Sequence, residues 1–339
     1  MDTFIGIILV LALLLMTNWW WIKKLLFKYQ LRSLEKKRLS ERVNNVYRKY
    51  VGNDYAGFSS SLATLSRSEV YEFQKYLSSV KAGNQLLRKY AQDNGDNSSA
   101  LYLYGSSLVD EAWKVRGSGS ANTVGQDQAN LFIIFLQEAD VNLRKVLKLS
   151  PEYIEVYAPL IRAQMGLGNA MESWSLYKEA KSIEPGRLDY ALAMLFQLTE
   201  KWGGSHKDMF KFAREQATSG DSEFSAGLIA AAHHEYWQFL ESKEGNRYYA
   251  DKMVKNELLN AIEPVNKLDT EEDYSARYQK MLAQNYVALC FLCMNEKKKA
   301  RAIFRSIGEH YTPYPWAYMD HLPGAAYLRY RSMAGAGSV

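Results

Sequence analysis

The sequence predicts an all-α fold, in which an N-terminal transmembrane helix precedes a solenoid of stacked helical hairpins. Three observations lead to this prediction. Apolar residues recur at helical spacing along most of the chain, and almost no segment alternates with the two-residue period of a strand. Related patterns return at intervals of about 34 residues, a period typical of helical hairpins that stack on one another. One long, uncharged apolar stretch opens the chain.

This apolar stretch runs from Phe4 to Ile22 and contains no charged residue. At about 1.5 Å per residue it reaches about 28 Å as a helix, close to the hydrocarbon thickness of a bilayer. Trp19–Trp21 would lie at the water boundary, and Lys23 would follow outside it. A cleaved secretory signal would instead have a basic start, a shorter core and a small-residue cleavage site. We therefore expect an uncleaved anchor.

A basic segment follows the anchor. Its Lys and Arg residues are Lys23, Lys24, Lys28, Arg32, Lys36, Lys37, Arg38, Arg42, Arg48 and Lys49. Because basic residues concentrate on the cytoplasmic side of a membrane span, the body is expected in the cytoplasm. The tail before the span is very short, so a periplasmic body stays open as the alternative. The segment itself is expected to form a helical stalk that binds anionic lipid headgroups.

Charge and composition narrow the possible partners. The formal net charge is +5, but the positive charge is concentrated in the basic segment, and the body beyond it lacks the basic face that nucleic acid needs. Hydrophobic residues make up 47% of the chain, enough for a sizeable core. Cys290 and Cys293 lie in an apolar helical context, which predicts buried free thiols and disfavours a redox or zinc site.

The chain is expected to divide into five segments. They are residues 1–24 (anchor), 25–50 (basic juxtamembrane helix), 51–97 (N-terminal helices), 98–322 (repeat domain) and 323–339 (C-terminal tail). Ser66 and Glu69 form a capping box that predicts a helix start in the third segment. Residues from Ala334 onward are small and are expected to be disordered.

The clearest repeat unit runs from Glu152 to Pro185. Its key residues have the spacing of a tetratricopeptide-like hairpin: Tyr157, Leu160, Tyr177, Ala180 and Pro185. Gly166–Asn169 is expected to form the turn between its two helices. Ser150 would cap its first helix with Pro151 in the first turn, and Pro159 would kink or interrupt that helix. Further helices are predicted at Leu188–Glu200, Lys207–Ala217, Glu223–Ser242 and Arg247–Leu268.

The segment Lys201–His206 contains two adjacent glycines and is predicted to be a turn. Ser205 would cap the next helix, with Asp208 as its capping-box partner. A functional alternative is that the free amides of this helix start, together with Ser205 and His206, hold a carboxylate or a phosphate. The glycine-rich segment after Arg116 lacks the ending of a phosphate loop, although Trp113 and Arg116, one turn apart, would border a groove.

His233 and His234 are adjacent on a predicted helix, so their side chains point about 100° apart and cannot share one metal ion. We expect one of them to be packed and the other to face solvent. No motif of a known enzyme class occurs, and the scattered carboxylates form no assignable acid and base pair. The sequence therefore predicts no catalytic residue, no metal and no cofactor.

Three stretches resemble a bacterial family of unknown function that has a tetratricopeptide-like helical body. They are Ala112–Gly119, Lys201–Glu215 and Ile229–Trp237. The resemblance covers roughly residues 95 to 318, outside the anchor and the basic segment. It implies that Trp113, Arg116, Trp202, His206, either His233 or His234, and Trp237 converge on one face, but it implies no settled activity. Together with Ser205 at the helix start, these residues are the candidate binding site. The bacterial family and the predicted anchor, taken together, indicate a bacterial inner membrane.

The leading functional hypothesis is a single-pass membrane protein whose helical repeats bind another protein or a peptide. Such a protein would act as a scaffold or accessory factor in an envelope or secretion assembly. The alternative is a small-ligand sensor or a hydrolase that uses Arg116, His206 and His233. A lipid-surface organiser that depends on the basic segment is a third hypothesis.

Overall fold

The structure is a computed structural model that describes residues 27–31, 33–35, 37–80, 83–117, 119, 123–218, 222–240, 242–262, 273–320 and 322–337. Within these ranges every regular element is helical and no strand occurs, so the all-α prediction is confirmed. The predicted anchor, Phe4 to Ile22, lies outside the described residues. None of the helices that are described is both long enough and apolar enough to cross a bilayer.

Sixteen α-helices lie within the described residues. In chain order they are α1 (Glu41–Val51), α2 (Tyr55–Leu62), α3 (Arg67–Val80), α4 (Gln85–Asp93), α5 (Ser98–Arg116), α6 (Gln126–Leu149), α7 (Tyr157–Gly166), α8 (Ala170–Ile183), α9 (Leu188–Gln197), α10 (His206–Ala217), α11 (Ser222–Phe239), α12 (Ser242–Tyr248), α13 (Lys252–Ile262), α14 (Tyr274–Cys293), α15 (Lys297–Ile307) and α16 (Pro323–Met333). Short 3₁₀ turns are present at Ile154–Val156, Glu200–Trp202 and Trp316–Tyr318.

The helices pack in successive pairs, and each pair rests on the one before it. The pairs are α5 with α6, α7 with α8, α9 with α10, α11 with α13, and α14 with α15. The first helix of each pair also packs on the first helix of the next pair, which creates an inner layer of α5, α7, α9, α11 and α14. The body is therefore built from repeated helical pairs, as the sequence periodicity indicates.

The unit Glu152–Pro185 forms a hairpin, but its first helix starts later than predicted. The turn Gly166–Asn169 lies between α7 and α8, and Gly168 has the positive φ of 77° that the turn requires. Ser150 ends α6 and does not begin α7, so its predicted N-cap role is wrong. The helix starts at Tyr157, which places Pro159 in the first turn, where its missing N–H is not needed.

The ends of the later helices also differ from the predictions. Helix α9 ends at Gln197 and is followed by a 3₁₀ turn, so the predicted helix does not continue to Glu200. Helix α11 ends at Phe239, before the predicted Ser242. Helix α13 begins at Lys252, after the predicted start at Arg247. These shifts arise because helix ends depend on caps and on contacts with neighbouring helices more than on apolar spacing.

The inner layer closes on itself through α3, which packs on both α5 and α14. Buried polar contacts reinforce this closure at the N-terminal ends of the helices. Tyr71 of α3 donates a hydrogen bond to Asp189 Oδ2 of α9 at 2.7 Å. Glu155, in the turn before α7, accepts from Arg67 Nε of α3 at 2.6 Å and from Ser275 Oγ of α14 at 2.8 Å. The six inner helices thus surround a common space.

The segment expected to form a stalk is docked on the body. Residues 27–31 and 33–35 are helical, and α1 begins after a break, at Glu41. Leu34 and Val43 are both fully buried in the core. The expectation of a free stalk is wrong, because the apolar residues of this segment pack against the body. The local spacing of apolar residues does not predict contacts between segments that are distant in sequence.

Charged residues of the same segment also find partners in the body. The Arg38 guanidinium lies 2.9 Å from Glu35 Oε2, and its central carbon lies 4.1 Å from the centre of the Tyr311 ring. Ser40 donates through its backbone N–H and its hydroxyl to Glu72 of α3, at 2.5 and 2.9 Å. Part of the basic segment is therefore engaged in tertiary contacts.

The described part of the C-terminal segment packs against the body through residues 334–337, in contrast to the disorder predicted from Ala334. Within the expected tail, Pro323–Met333 form α16. Ala334 and Ala336 are buried, and the carbonyl of Ala334 accepts a hydrogen bond from Arg301 Nε at 2.9 Å. The prediction of disorder is wrong because these small side chains fit against α15, where larger ones would not.

Candidate functional site

The inner helices and the C-terminal segment line an open cavity of about 800 Å³. Cavities of this size are typical of sites that bind organic ligands. Its wall combines aromatic rings with charged groups. The charged side chains are Lys75, Asp110, Glu111, Lys114, Arg116, Arg162, Asp189, Lys201, Glu235 and Asp320. The aromatic side chains are Trp113, Phe196, Trp202, Tyr278, Tyr286, Tyr314 and Tyr318.

Three of the predicted site residues come together at one end of this cavity. Trp113 and Arg116 lie at the end of α5, and Trp202 lies in the turn after α9. The Trp113 and Trp202 rings meet edge to face, with centres 4.9 Å apart. The central guanidinium carbon of Arg116 lies 4.9 Å from the centre of the Trp202 ring, in a cation–π contact.

The guanidinium of Arg116 is held in place by the backbone that follows it. Its Nη1 donates to the carbonyl oxygens of Gly117 at 3.0 Å and Gly119 at 2.9 Å. Gly117 has a φ of 70°, a conformation that favours glycine and turns the chain back toward the guanidinium. Burial lowers the pKa of Arg116 from its usual value. The glycine-rich segment therefore positions a partly desolvated cation on the cavity wall.

The two adjacent glycines after Trp202 make the tight turn that holds Lys201 and Trp202 at the cavity. Gly203 has a φ of 83°, and a Cβ atom on Gly204 would overlap the backbone of Leu198. Ser205 then caps α10 by accepting a hydrogen bond from the Asp208 N–H at 3.1 Å. The predicted turn and cap are confirmed, and the Ser205 hydroxyl is used by the cap.

His206 lies beyond this cap and does not line the cavity. Its Nδ1 atom lies 3.3 Å from Glu200 Oε1. Its ring packs against Tyr236 and Phe239 of α11, with centres 4.9 and 4.3 Å apart. His206 therefore belongs to the contact between α10 and α11.

His233 and His234 are both buried, so the expectation that one of them faces solvent is wrong. Helix α11 packs on α10 and α13 and also on α9 and α14, and this arrangement covers both directions in which the two rings point. His233 Nδ1 lies 2.5 Å from the Tyr248 hydroxyl. His234 packs near Tyr318 and Tyr286, and burial lowers its pKa to about 3. Both side chains support packing between helices and do not line the cavity.

Trp237 is likewise a packing residue in the described structure. Its Nε1 donates to the carbonyl of Gly245 at 3.1 Å, and its ring contacts those of His234 and Tyr249. The eight predicted residues therefore separate into two groups. Trp113, Arg116 and Trp202 line the cavity, whereas Ser205, His206, His233, His234 and Trp237 lie at helix contacts beside it.

Glu235 is the cavity residue that sequence reasoning left unassigned. It lies on α11 between the two groups of predicted residues and lines the cavity. Burial raises the pKa of its carboxyl to about 7, while a hydrogen bond with Tyr318 and the charge of Lys201 oppose this rise. Its setting among alanines, histidines and aromatic residues was the available signal, because an unpaired charge rarely lies on such a helix without a role.

Lys75 is a second cavity residue that the sequence did not single out. Its Nζ lies 4.7 Å from the centre of the Tyr71 ring and 5.4 Å from that of Tyr278. Burial lowers its pKa from the usual value, although the charges of Asp189 and Asp110 oppose this effect. On α3, Lys75 lies beside an apolar stripe, where the sequence alone predicts an ordinary surface lysine. Its position at the cavity becomes evident only when the inner layer closes.

The described residues offer no group of three or more His, Cys, Asp or Glu side chains placed to hold a metal ion. Cys290 is buried and Cys293 half-buried, so the prediction of a buried free thiol is confirmed for Cys290. Burial raises the pKa of the Cys293 thiol to about 12, and that of Cys290 also rises. Both thiols are therefore poor nucleophiles.

A comparison with protein-family models found no match, and a comparison with curated proteins found none either.

Proposed function

We propose that this protein is a membrane-anchored helical-repeat protein that binds a segment of another protein in its inner cavity. The observation that carries the proposal is the cavity itself, because a wall of aromatic rings and charged groups is chemically suited to side chains and backbone of a bound peptide. The tetratricopeptide-like spacing of the repeats and the predicted anchor, Phe4 to Ile22, support the same proposal.

The location follows from the predicted anchor and its charges. We propose a single-pass protein of a bacterial inner membrane with its body in the cytoplasm, and the periplasm as the alternative. In that location the protein would serve as a scaffold or accessory factor of an envelope or secretion assembly. Exposed basic residues of the docked N-terminal segment, such as Lys28 and Arg48, would lie near anionic headgroups.

A small-ligand sensor is the second candidate, favoured by the cavity volume of about 800 Å³. Its site would be the Arg116 and Glu235 end of the cavity. His206 and His233, the other residues of the predicted sensor or hydrolase face, are engaged in helix packing and do not support that version.

Photocrosslinking in intact cells tests the proposed function. A photoreactive phenylalanine derivative replaces Tyr314, which lines the cavity, and in a second strain it replaces Met171, which is 90% exposed on α8. We expect the probe at Tyr314 to form an adduct with one defined segment of another protein, identified by mass spectrometry. The probe at Met171 should not give this adduct.

Two tryptophan variants give the experiment a matched control. Trp202→Ala removes an indole from the cavity wall, whereas Trp237→Ala removes one from a helix contact beside it. The adduct at Tyr314 should be lost with the first variant and kept with the second, provided that both fold. Adducts that are identical at Tyr314 and Met171, or only small molecules captured at Tyr314, would contradict the proposal.

A further inference from the structure

Most charged side chains on the cavity wall are neutralised by a partner of opposite sign. Arg162 Nη1 lies 3.4 Å from Asp110 Oδ1, and Lys114 Nζ lies 3.2 Å from Glu111 Oε2. These four residues all line the cavity, so the two pairs add no net charge to it.

Two further carboxylates are neutralised from outside the wall. Arg187 binds Asp189 through two hydrogen bonds, with Nε donating to Oδ1 at 3.0 Å and Nη2 to Oδ2 at 3.1 Å. Arg329 lies 3.6 Å from Asp320 Oδ2. Neither arginine lines the cavity, and Arg187 also lies 3.4 Å from Glu184 Oε2 and 3.8 Å from Glu155 Oε1, so three carboxylates share its charge.

Within the described part of the chain, Lys75 and Arg116 form no such close pair, although the charges of Asp189 and Asp110 act on Lys75. Among the residues that the structure describes, no carboxylate forms an ion pair with either of them. Lys75 contacts the faces of two tyrosine rings, and Arg116 contacts one indole ring and two backbone carbonyls. Glu235 is the remaining carboxylate on the wall, and at neutral pH it is partly protonated because burial raises its pKa to about 7. The wall has five cations and five carboxylates in all, and Lys75 and Arg116 are two of its cations that form no ion pair with a described carboxylate.

Uncharged hydrogen-bonding groups of the wall add an independent observation. Ser106 and Tyr286 are 1% and 0% exposed and both belong to the wall. Their hydroxyl groups are buried and make no hydrogen bond with any described residue, and the same holds for Trp113 Nε1. Buried polar groups usually have a partner, so these three groups leave hydrogen-bonding capacity unused in the wall of the cavity.

We propose that the cavity binds an anionic ligand, with carboxylate or phosphate groups, that interacts with the Lys75 and Arg116 side chains of the wall. This inference rests on the proposed function, because it specifies the chemistry of the segment that the cavity receives. Charge-assisted hydrogen bonds in a partly buried site are among the strongest that a protein forms, and an anion there replaces water without leaving a buried charge unpaired.

Calorimetric titration of the full-length protein in nonionic detergent tests the assignment. The probes are glutarate, inorganic phosphate and the neutral analogue glutaramide. We expect saturable binding of at least one anion and none of glutaramide, and the tighter anion distinguishes a carboxylate site from a phosphate site. Lys75→Met and Arg116→Gln should each weaken the anion about tenfold, the effect of losing one charge-assisted hydrogen bond.

Lys145→Met is the matched control, because it removes one positive charge from α6, where Lys145 pairs with Asp96 outside the cavity. It should leave anion binding unchanged. Near-ultraviolet circular dichroism checks the fold of each variant, and if Arg116→Gln unfolds, Lys75→Met alone decides. Equal binding of glutaramide, no saturable anion binding, or equal weakening by Lys145→Met would overturn the assignment. Any of these results with the Tyr314 adduct retained would leave the proposed function intact.

Discussion

Glu235 has a charge state that depends on its surroundings in the folded protein. Its carboxyl is enclosed by the inner layer, near Lys201, Tyr318 and Tyr286. Burial disfavours the charged form and raises the pKa from 4.5 to about 7, against the smaller effects of Tyr318 and Lys201. Between these two pH values the folded protein binds a proton that the unfolded chain does not bind. Stability is therefore lost as the pH rises through 7.

Glu235→Gln should remove this pH dependence. Above pH 7 the variant should exceed wild type in free energy of unfolding by about 2 to 3 kcal/mol, and the difference should vanish near pH 4.5. Urea unfolding at pH 5 and pH 8 measures both values. Glu215→Gln, whose carboxyl is 59% exposed, serves as the control and should follow wild type. A constant difference between wild type and Glu235→Gln at the two pH values would contradict the expectation.

Helix α11 shows why element contacts decide the role of its residues. It packs on α9 and α14 in the inner layer and on α10 and α13 outside it. Its small residues permit this close approach: a Cβ atom on Gly227 would lie 2.5 Å from Leu188 Cδ2 and 2.9 Å from Ala283 Cβ. The same enclosure buries both His233 and His234, whose side chains point about 100° apart. Residues that look polar and available in sequence are therefore interior residues here.

Gly227→Ala should destabilise the protein although alanine favours helices. The added methyl group overlaps Ala283, whose Cα would lie 3.0 Å away, so the helices must move apart. We expect a loss of about 1–3 kcal/mol from overpacking, larger than the gain of up to about 1 kcal/mol in helix propensity.

Gly245→Ala is the control for this substitution. Gly245 also lies in a helix, but its Cβ atom would find only ordinary contacts, at 3.4 Å or more from the Trp237 ring. This variant should keep or slightly raise the wild-type stability in thermal or urea unfolding. A Gly227→Ala protein as stable as Gly245→Ala would show that the contact of α11 with α14 is looser than described.

At the scale of the whole molecule, one polar network holds the inner layer closed. Arg187 and Asp189 lie at its centre, with side chains only 2% and 5% exposed. Tyr71 links this pair to α3, and the backbone N–H of Asp189 donates to Gln279 of α14 at 2.9 Å. Since α3 and α14 are far apart in sequence, the network joins the two ends of the repeat array beside the cavity.

Asp189→Asn should lower the free energy of unfolding by about 3–5 kcal/mol, because it leaves the Arg187 charge buried without its closest partner. Urea unfolding measures the loss. Asp96→Asn makes the same change in a side chain that is 90% exposed and should stay within about 0.5 kcal/mol of wild type. Equal stability of the two variants would mean that the buried pair adds nothing to the closure.

Local pattern was sufficient for much of this fold. The all-α class follows from apolar spacing, and the Ser66 and Ser205 caps follow from short motifs whose hydrogen bonds form within a few residues. Gly168 and Gly203 were also identifiable, because a turn between helices needs their positive φ angles. Trp113, Arg116 and Trp202 could be predicted as site residues from the sequence. Trp113 and Arg116 lie one helical turn apart, and all three lie in distinctive segments.

Long-range packing determined the rest. Lys75 and Glu235 acquire their properties because helices distant in sequence enclose them, and no spacing along α3 or α11 records that enclosure. The same reason explains the burial of His234, the docking of Leu34 and the burial of Ala334, each of which depends on a surface contributed by another part of the chain. The spacing of apolar residues predicts which face a helix buries. Which other helix packs on that face is decided only when the helices assemble.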